Sequence, residues 1–235
     1  MSSTQKTVLI TGANRGIGFG FAQDYANKGY KVIATVRDLS RAPKIPGVIT
    51  VKIDASNDTD PYTAVEELKT KHGIEKLDIV IANAGISEHY ALVRDIDLDQ
   101  FDQHHKVNAR APLILFKAIY PLLEQGSKFV VISTFPSQNG VDHFPNFGAY
   151  GASKATVNYI TRQIHFEEPS LTAFFISPGW LDTDMGNAGA AANGLDAPPE
   201  KLSVTLPQMV DLIDKSTREE HSGYMWNYDG TKIPF

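Results

Sequence analysis

Short apolar runs recur along the chain with helix-like stretches between them, and this alternation limits the fold more than any other feature. Val8-Leu9-Ile10, Val32-Ile33-Ala34, the stretch from Val48 to Ile53, Ile79-Val80-Ile81, Phe129-Val130-Val131-Ile132 and Ala173-Phe174-Phe175-Ile176 read as strands. The tail GYMWNYDG reads as a seventh. Between them, helices are expected from Gly16 to Asn27 with a stop at Gly29, and over DPYTAVEELKTKHG, where Pro61 opens the first turn and Gly73 follows the end. Further helices are expected over 98–125, broken by Pro112 and Pro121, and over 150–167 and 207–217. Strands that are apolar throughout, separated by helices, demand a parallel sheet covered on both faces. Such sheets bind ligands outside the carboxyl ends of their strands.

The first strand runs into TGANRGIG, Thr11 to Gly18. A strand, a glycine turn and a helix N-terminus bring backbone N–H groups close to an anion, which suits a pyrophosphate. The fold class expected is therefore α/β: a single Rossmann-type doubly wound domain over residues 1–235, with a seven-stranded parallel sheet flanked by helices. The spacing Gly12, Gly16, Gly18 differs from the common G-x-G-x-x-G pattern. Asn14, Arg15 and Ile17 belong to the same turn. The second strand ends ATVRD, and an Arg at that place favours a 2′-phosphate where an acid would favour a free ribose. Arg37 and Arg15 thus point to NADPH (NADP+) over NAD, with Asp38 as the feature that opposes it.

The bulk of the chain excludes several alternatives. At 42% hydrophobic, 235 residues suit one well-buried domain. A net charge of −5 argues against nucleic acid or an anionic membrane surface as the main partner. The absence of cysteine rules out disulfides and thiolate chemistry. No metal is expected, because the adjacent His104 and His105 face apart on a helix. Without a signal-like segment or a long apolar run, a soluble, cytoplasmic protein is expected. The segment MGNAGAAANGLDAPPE, 185–200, reads as a long loop, and a substrate lid is expected over 185–205.

Tyr150 and Lys154 are four apart in YGASK and share a helix face. An ammonium close to a phenol lowers its pKa, which yields a general acid for reduction and a general base for oxidation. Upstream, STFPSQNG crowds Ser133, Thr134 and Ser137 at the end of the fifth strand. His89, Tyr90, Phe135, His143, Phe144, Phe147, Trp180 and Met185 follow strand ends and form candidate walls for a bulky apolar or aromatic carbonyl compound.

TGANRGIG, NAGI at Asn83 to Ile86, YGASK and SPGWLDT at Ser177 to Thr183 occur in this order at strand ends. Together they resemble the short-chain dehydrogenase/reductase family over essentially the whole chain. Within it, GANRGIG, AYGASKA, HFE, SPGW with DMG, and YDGTKIPF look like fungal ketoreductases of secondary metabolism similar to norsolorinic acid ketoreductase, and like C-factor-type relatives. The resemblance implies that Tyr150 is the catalytic tyrosine and that Lys154 holds the nicotinamide ribose. It implies that the backbone of Asn108 holds a water in a proton relay. Asp54 would lie near the adenine, Asn83 and Gly85 beside the adenosine ribose, and Pro178, Gly179 and Thr183 along the nicotinamide. The family also requires a hydroxyl near the substrate carbonyl. The strand anchor selects Thr134, while a spacing of thirteen residues before Tyr150 selects Ser137, and Ser133 remains a third candidate. A homodimer or homotetramer through the helices over 98–125 and 150–167 is a further implication. The reading is an NADPH-dependent ketoreductase; the alternatives are a non-redox enzyme on this fold and a non-catalytic dinucleotide sensor.

Overall fold

The computed structural model describes residues 5–140, 142 and 145–234. Its centre is a sheet whose strand order is β3-β2-β1-β4-β5-β6-β7-β8. The strands are β1 (Thr7–Thr11), β2 (Lys31–Val36), β3 (Ile49–Lys52), β4 (Leu77–Ala82), β5 (Leu123–Ile132), β6 (Thr172–Ser177), β7 (Met225–Asn227) and β8 (Lys232–Ile233). The first seven are mutually parallel, as the sequence predicts. β8 is an addition: it returns antiparallel to β7 through a turn at Asp229-Gly230, with Gly230 at φ 84. The order reverses between β1 and β4, and that switch point opens the crevice in which doubly wound folds hold ligands.

Helices α1 (Gly16–Asn27), α2 (Asp60–His72), α3 (Leu98–His105), α4 (Ala111–Ile119), α5 (Gly148–Glu167), α6 (Asp184–Ala192), α7 (Leu202–Lys215) and α8 (Arg218–His221) cover the sheet. β1 and β6 are buried at every residue, as expected of strands covered on both faces. One apolar layer packs α2, α4 and α5 onto Leu9, Val80, Phe129 and Phe175. The other packs α1 and α7 onto Ile10, Ile81, Val130 and Phe174. α1 and α2 have the predicted bounds, and Gly73 caps α2 in the left-handed conformation at φ 60.

Three predicted stretches differ. The helix expected over 98–125 stops at Ile119, and β5 begins at Leu123, with Gly126 at φ 87. α7 begins at Leu202, five residues before the predicted start, and contains Pro207. That proline removes the bond to the Ser203 carbonyl, but Ser203 and Pro207 are exposed, so water can replace it. The segment from 185, expected as loop, opens as helix α6. Thr183 caps it by accepting from the Gly186 N–H, and an alanine-rich stretch favours the helical state. Among the described residues no helix is long and apolar enough to cross a membrane.

Candidate active site

The carboxyl ends of the strands border one cleft of about 1610 Å³. A pocket for one drug-sized ligand needs about 300–1,000 Å³, so the cleft has room for a dinucleotide and a second molecule. Of the predicted cofactor residues, Gly12, Asn14, Arg15, Gly16, Ile17, Arg37, Asp54, Asn83, Gly85, Tyr150, Lys154, Pro178, Gly179 and Thr183 line it.

The glycine turn packs tightly on the loop that follows β4. Gly12 has φ 66, and a Cβ there would lie 3.0 Å from the Ala84 Cα. The Thr11 hydroxyl accepts from the N–H groups of Asn83 and Ala84 at 3.0 and 2.9 Å, and Asn83 Nδ2 donates to the Thr11 carbonyl at 2.8 Å. Asn83 therefore pins the turn to the end of β4. Gly18 is not part of the cleft wall. It is a packing glycine beneath the turn, whose Cβ would lie 2.4 Å from the Gly12 carbonyl oxygen. At the far end Arg37 and Arg41 line the cleft together, and Arg41 was not foreseen. Asp38, the residue that opposed a 2′-phosphate, spends its carboxylate on the Ser40 N–H as the cap of a short 3₁₀ turn. Two guanidiniums side by side suit a phosphate dianion, although Asp54 lines the same cleft near Arg37. Burial raises the Asp54 pKa, but hydrogen bonds from Ser56, with Arg37 and Lys52 nearby, outweigh it and hold the carboxyl below its usual range. Arg15 departs from expectation: its guanidinium pairs with Asp184 at 2.6 Å, on the first turn of α6.

At the other end, α5 carries Tyr150 and Lys154 beside the end of β5. Tyr150 is hydrogen-bonded to the side chain of Thr134. Burial raises the phenol to about 12, against the pull of that bond. Lys154 is 4% exposed, and burial lowers its ammonium to about 8. Its Nζ donates to the Ile132 carbonyl at 2.7 Å and lies 6.0 Å from the Tyr150 ring centroid. The expected lowering of the phenol by the lysine is not found: burial raises it, and the pull in the other direction comes from Thr134.

The three hydroxyls separate cleanly. Ser133 Oγ donates to Asn158 Oδ1 at 2.6 Å, and Ser137 Oγ donates to the Thr134 carbonyl at 2.6 Å. Ser137 is outside the cleft wall; Ser133 lines it but turns its hydroxyl to Asn158, and Thr134 meets Tyr150. Asn108 is also outside the wall. Its Oδ1 accepts from the Ile86 N–H, and its Nδ2 donates to the Ile86 carbonyl and to Ser153 Oγ at 2.9 and 3.0 Å. It sits in a π-helical turn, Lys106–Arg110, between α3 and α4. Such a turn interrupts the regular helical ladder and is frequent at functional sites.

Aromatic rings form the outer wall. Phe147 stands edge-on to Tyr90 at 5.6 Å and to Trp180 at 6.0 Å, and lies 6.3 Å from Tyr150. The chain reaches Phe147 through Asn146, which holds φ 71. Asn tolerates that conformation better than most residues, and strain of this kind clusters at functional sites. Trp180 is clamped: its Nε1 donates to the Gly186 carbonyl and its N–H to Glu200 Oε2, both at 2.9 Å. Phe135 and Met185 also line the cleft, whereas His89 is outside it and accepts from the Asp97 N–H. His143 and Phe144 lie outside the described residues. His104, weighed in the sequence only as a metal ligand, is buried and accepts the Glu88 N–H while its Nδ1–H donates to the Gln100 carbonyl, so it is neutral and anchors the loop after β4. The sequence reading missed Glu200, Asn227, Tyr228, Thr231 and Ile233 in the wall. The Asp229-Gly230 hairpin signal could have located the last four.

Sequence and structure comparisons agree with this architecture. A profile of the short chain dehydrogenase family matches residues 6–193. The chain belongs to that family. It is 38% identical to a norsolorinic acid ketoreductase of Dothistroma septosporum, over 99% of this chain and 94% of that one. It is 33% identical to the norsolorinic acid ketoreductase of Aspergillus parasiticus, over 97% and 90%. Its fold matches the crystal structure of an NADPH-bound carbonyl reductase from chicken fatty liver with a TM-score of 0.85 at 24% identity, over 98% of this chain and 94% of that one.

Proposed function

We propose that the protein is an NADPH-dependent ketoreductase that reduces a bulky, uncharged aromatic or polyketide-like ketone to the alcohol. The observation that carries this reading is the Thr134–Tyr150 hydrogen bond, one helical turn from Lys154, beneath the Tyr90–Phe147–Trp180 wall. The names of the two fungal relatives point the same way. Gly12, Gly16 and the N-terminus of α1 would hold the pyrophosphate, and Arg37 with Arg41 the 2′-phosphate. The bound nicotinamide supplies the hydride.

Tyr150 is the proton donor. With its phenol raised to about 12, it keeps its proton at neutral pH and gives it up only to the more basic alkoxide that hydride transfer creates. Thr134 donates a hydrogen bond to the substrate oxygen, where negative charge develops as the carbonyl carbon gains its fourth substituent. The C=O π bond breaks, its electron pair takes the Tyr150 proton, and a secondary alcohol results. Lys154, whose ammonium titrates near 8, returns a proton toward Tyr150, and a water held by the Asn108 backbone would recharge the lysine. Phe147 and Trp180 press a flat substrate against the site. Glu88, Asp142 and Glu200 line the same wall and disfavour a carboxylate or phosphate on the substrate.

The test is NADPH consumption against hexanophenone, phenanthrenequinone and their carboxylated analogues, with Tyr150→Phe alongside. Turnover of the neutral ketones that falls at least about a thousandfold in the variant is expected. Tight NADPH binding with no ketone consumed, or a variant as active as the parent, would overturn it.

A further inference from the structure

Tyr150, Lys154 and Asn158 are spaced four apart on α5 and form one stripe along it. Each meets the chain as it leaves β5. Lys154 holds the Ile132 carbonyl and Tyr150 meets Thr134. Asn158 grips the turn from both sides. Its Oδ1 accepts from Ser133 Oγ at 2.6 Å, and its Nδ2 donates to Ser137 Oγ at 2.8 Å. Ser137 Oγ then donates to the carbonyl of Thr134 at 2.6 Å. Ser133, Asn158 and Ser137 are 2%, 5% and 6% exposed, so water does not compete. The result is a closed network with the Thr134 peptide as one of its members.

The backbone alone holds this turn weakly. Thr134 is extended at φ −165 and ψ 153, and only the single 3₁₀ turn Phe135–Ser137 follows. Its backbone bonds run from the Ser137 N–H to the Thr134 carbonyl at 3.2 Å and from the Gln138 N–H to the Phe135 carbonyl at 3.0 Å, and Pro136 has no N–H to add. Asparagine is suited to this task because one planar group supplies an acceptor for Ser133 and a donor for Ser137. Aspartate would lose the donor, and an aliphatic residue both.

We propose that Asn158 is a positioning residue for the reduction: it locks the turn after β5, through Ser133 and Ser137, so that the Thr134 hydroxyl meets Tyr150 and the substrate oxygen. The proposal rests on the reading of Thr134 and Tyr150 given above. A misplacement of about 1 Å at a reacting group can cost about a hundredfold in rate, so the network acts on kcat rather than on cofactor binding.

The test is a double-mutant cycle on the full chain with Asn158→Ala, Thr134→Ala and the pair. It uses hexanophenone or phenanthrenequinone, whichever the parent reduces faster. The readouts are kcat, KM, NADPH affinity by fluorescence, and Tm. Asn158→Ala should lower kcat by about ten- to a hundredfold, with NADPH affinity unchanged, and should cost less than about twofold when Thr134 is already Ala. Ser137→Ala, which cuts the same network from the other end, should behave alike and decides the question if Asn158→Ala does not fold. An equal loss of kcat in both backgrounds, the mark of a merely structural residue, would overturn the proposal. So would Asn158→Ala with the parent's kcat while Thr134→Ala is impaired. If Thr134→Ala is itself unimpaired, the reading of Thr134 fails and the proposal falls with it.

Discussion

Replacing Lys154 by Met should alter how stability varies with pH. Burial lowers the lysine from 10.5 to about 8. The folded value lies below the unfolded one, so between them the unfolded chain carries more protons, and stability rises with pH across that window. Below about 8 the folded protein bears the full cost of a buried ammonium; above 10.5 the cost is gone. At about 1.4 kcal/mol per pH unit the difference amounts to about 3 kcal/mol. The bond from Nζ to the Ile132 carbonyl survives deprotonation, since a neutral amine still donates, so its loss displaces the variant's curve without tilting it. Tyr150 acts with the opposite sign and only above pH 10, and it is common to both proteins. The assay is urea unfolding of both, free of cofactor, between pH 7 and pH 10.5. The parent should gain about 3 kcal/mol on the variant over that range. In thermal melts this corresponds to roughly 6–12 °C for a chain of this length. Parallel curves would show that Lys154 is not neutralised by its surroundings, and the proton-return role assigned to it would lose its basis.

Two further outcomes are expected. Arg37→Ala should weaken NADPH binding by about ten- to a hundredfold, the worth of one charge-assisted hydrogen bond, and leave NADH affinity nearly unchanged; equal losses in fluorescence titrations would remove the 2′-phosphate from its role. Gly18→Ala places a Cβ 2.4 Å from the Gly12 carbonyl and 2.6 Å from Asn83 Nδ2, so the glycine turn must shift. It should cost about 1–3 kcal/mol of stability and impair NADPH binding together, and a variant with the parent's melting temperature and affinity would contradict the packing described for that residue.

The seven parallel strands and the first two helices were legible because parallel strands buried on both faces leave unbroken apolar runs, and because Pro61 and Gly73 mark helix ends chemically. The segment from 185 was misread as loop because alanine and glycine were taken as loop formers, when Thr183 supplies a cap and alanine the propensity. β8 was missed because two residues carry no period. At the site, strand alternation excluded joint action by Ser133 and Thr134, but only packing shows that Asn158 draws Ser133 inward. The pairing of Arg15 with Asp184 joins residues 169 apart in the chain, and no local pattern announces it.

The hairpin of β7 and β8 guards the free edge of the sheet and also supplies Asn227, Tyr228, Thr231 and Ile233 to the cleft. Synthesis runs from the N-terminus, so the glycine turn, Tyr150 and Lys154 leave the ribosome well before this wall does. Until α7 and the hairpin arrive, the face that α7 covers is bare and the cleft stands open along one side. The same late residues finish both tasks: Ile233 is at once a member of the apolar core and a part of the cleft wall.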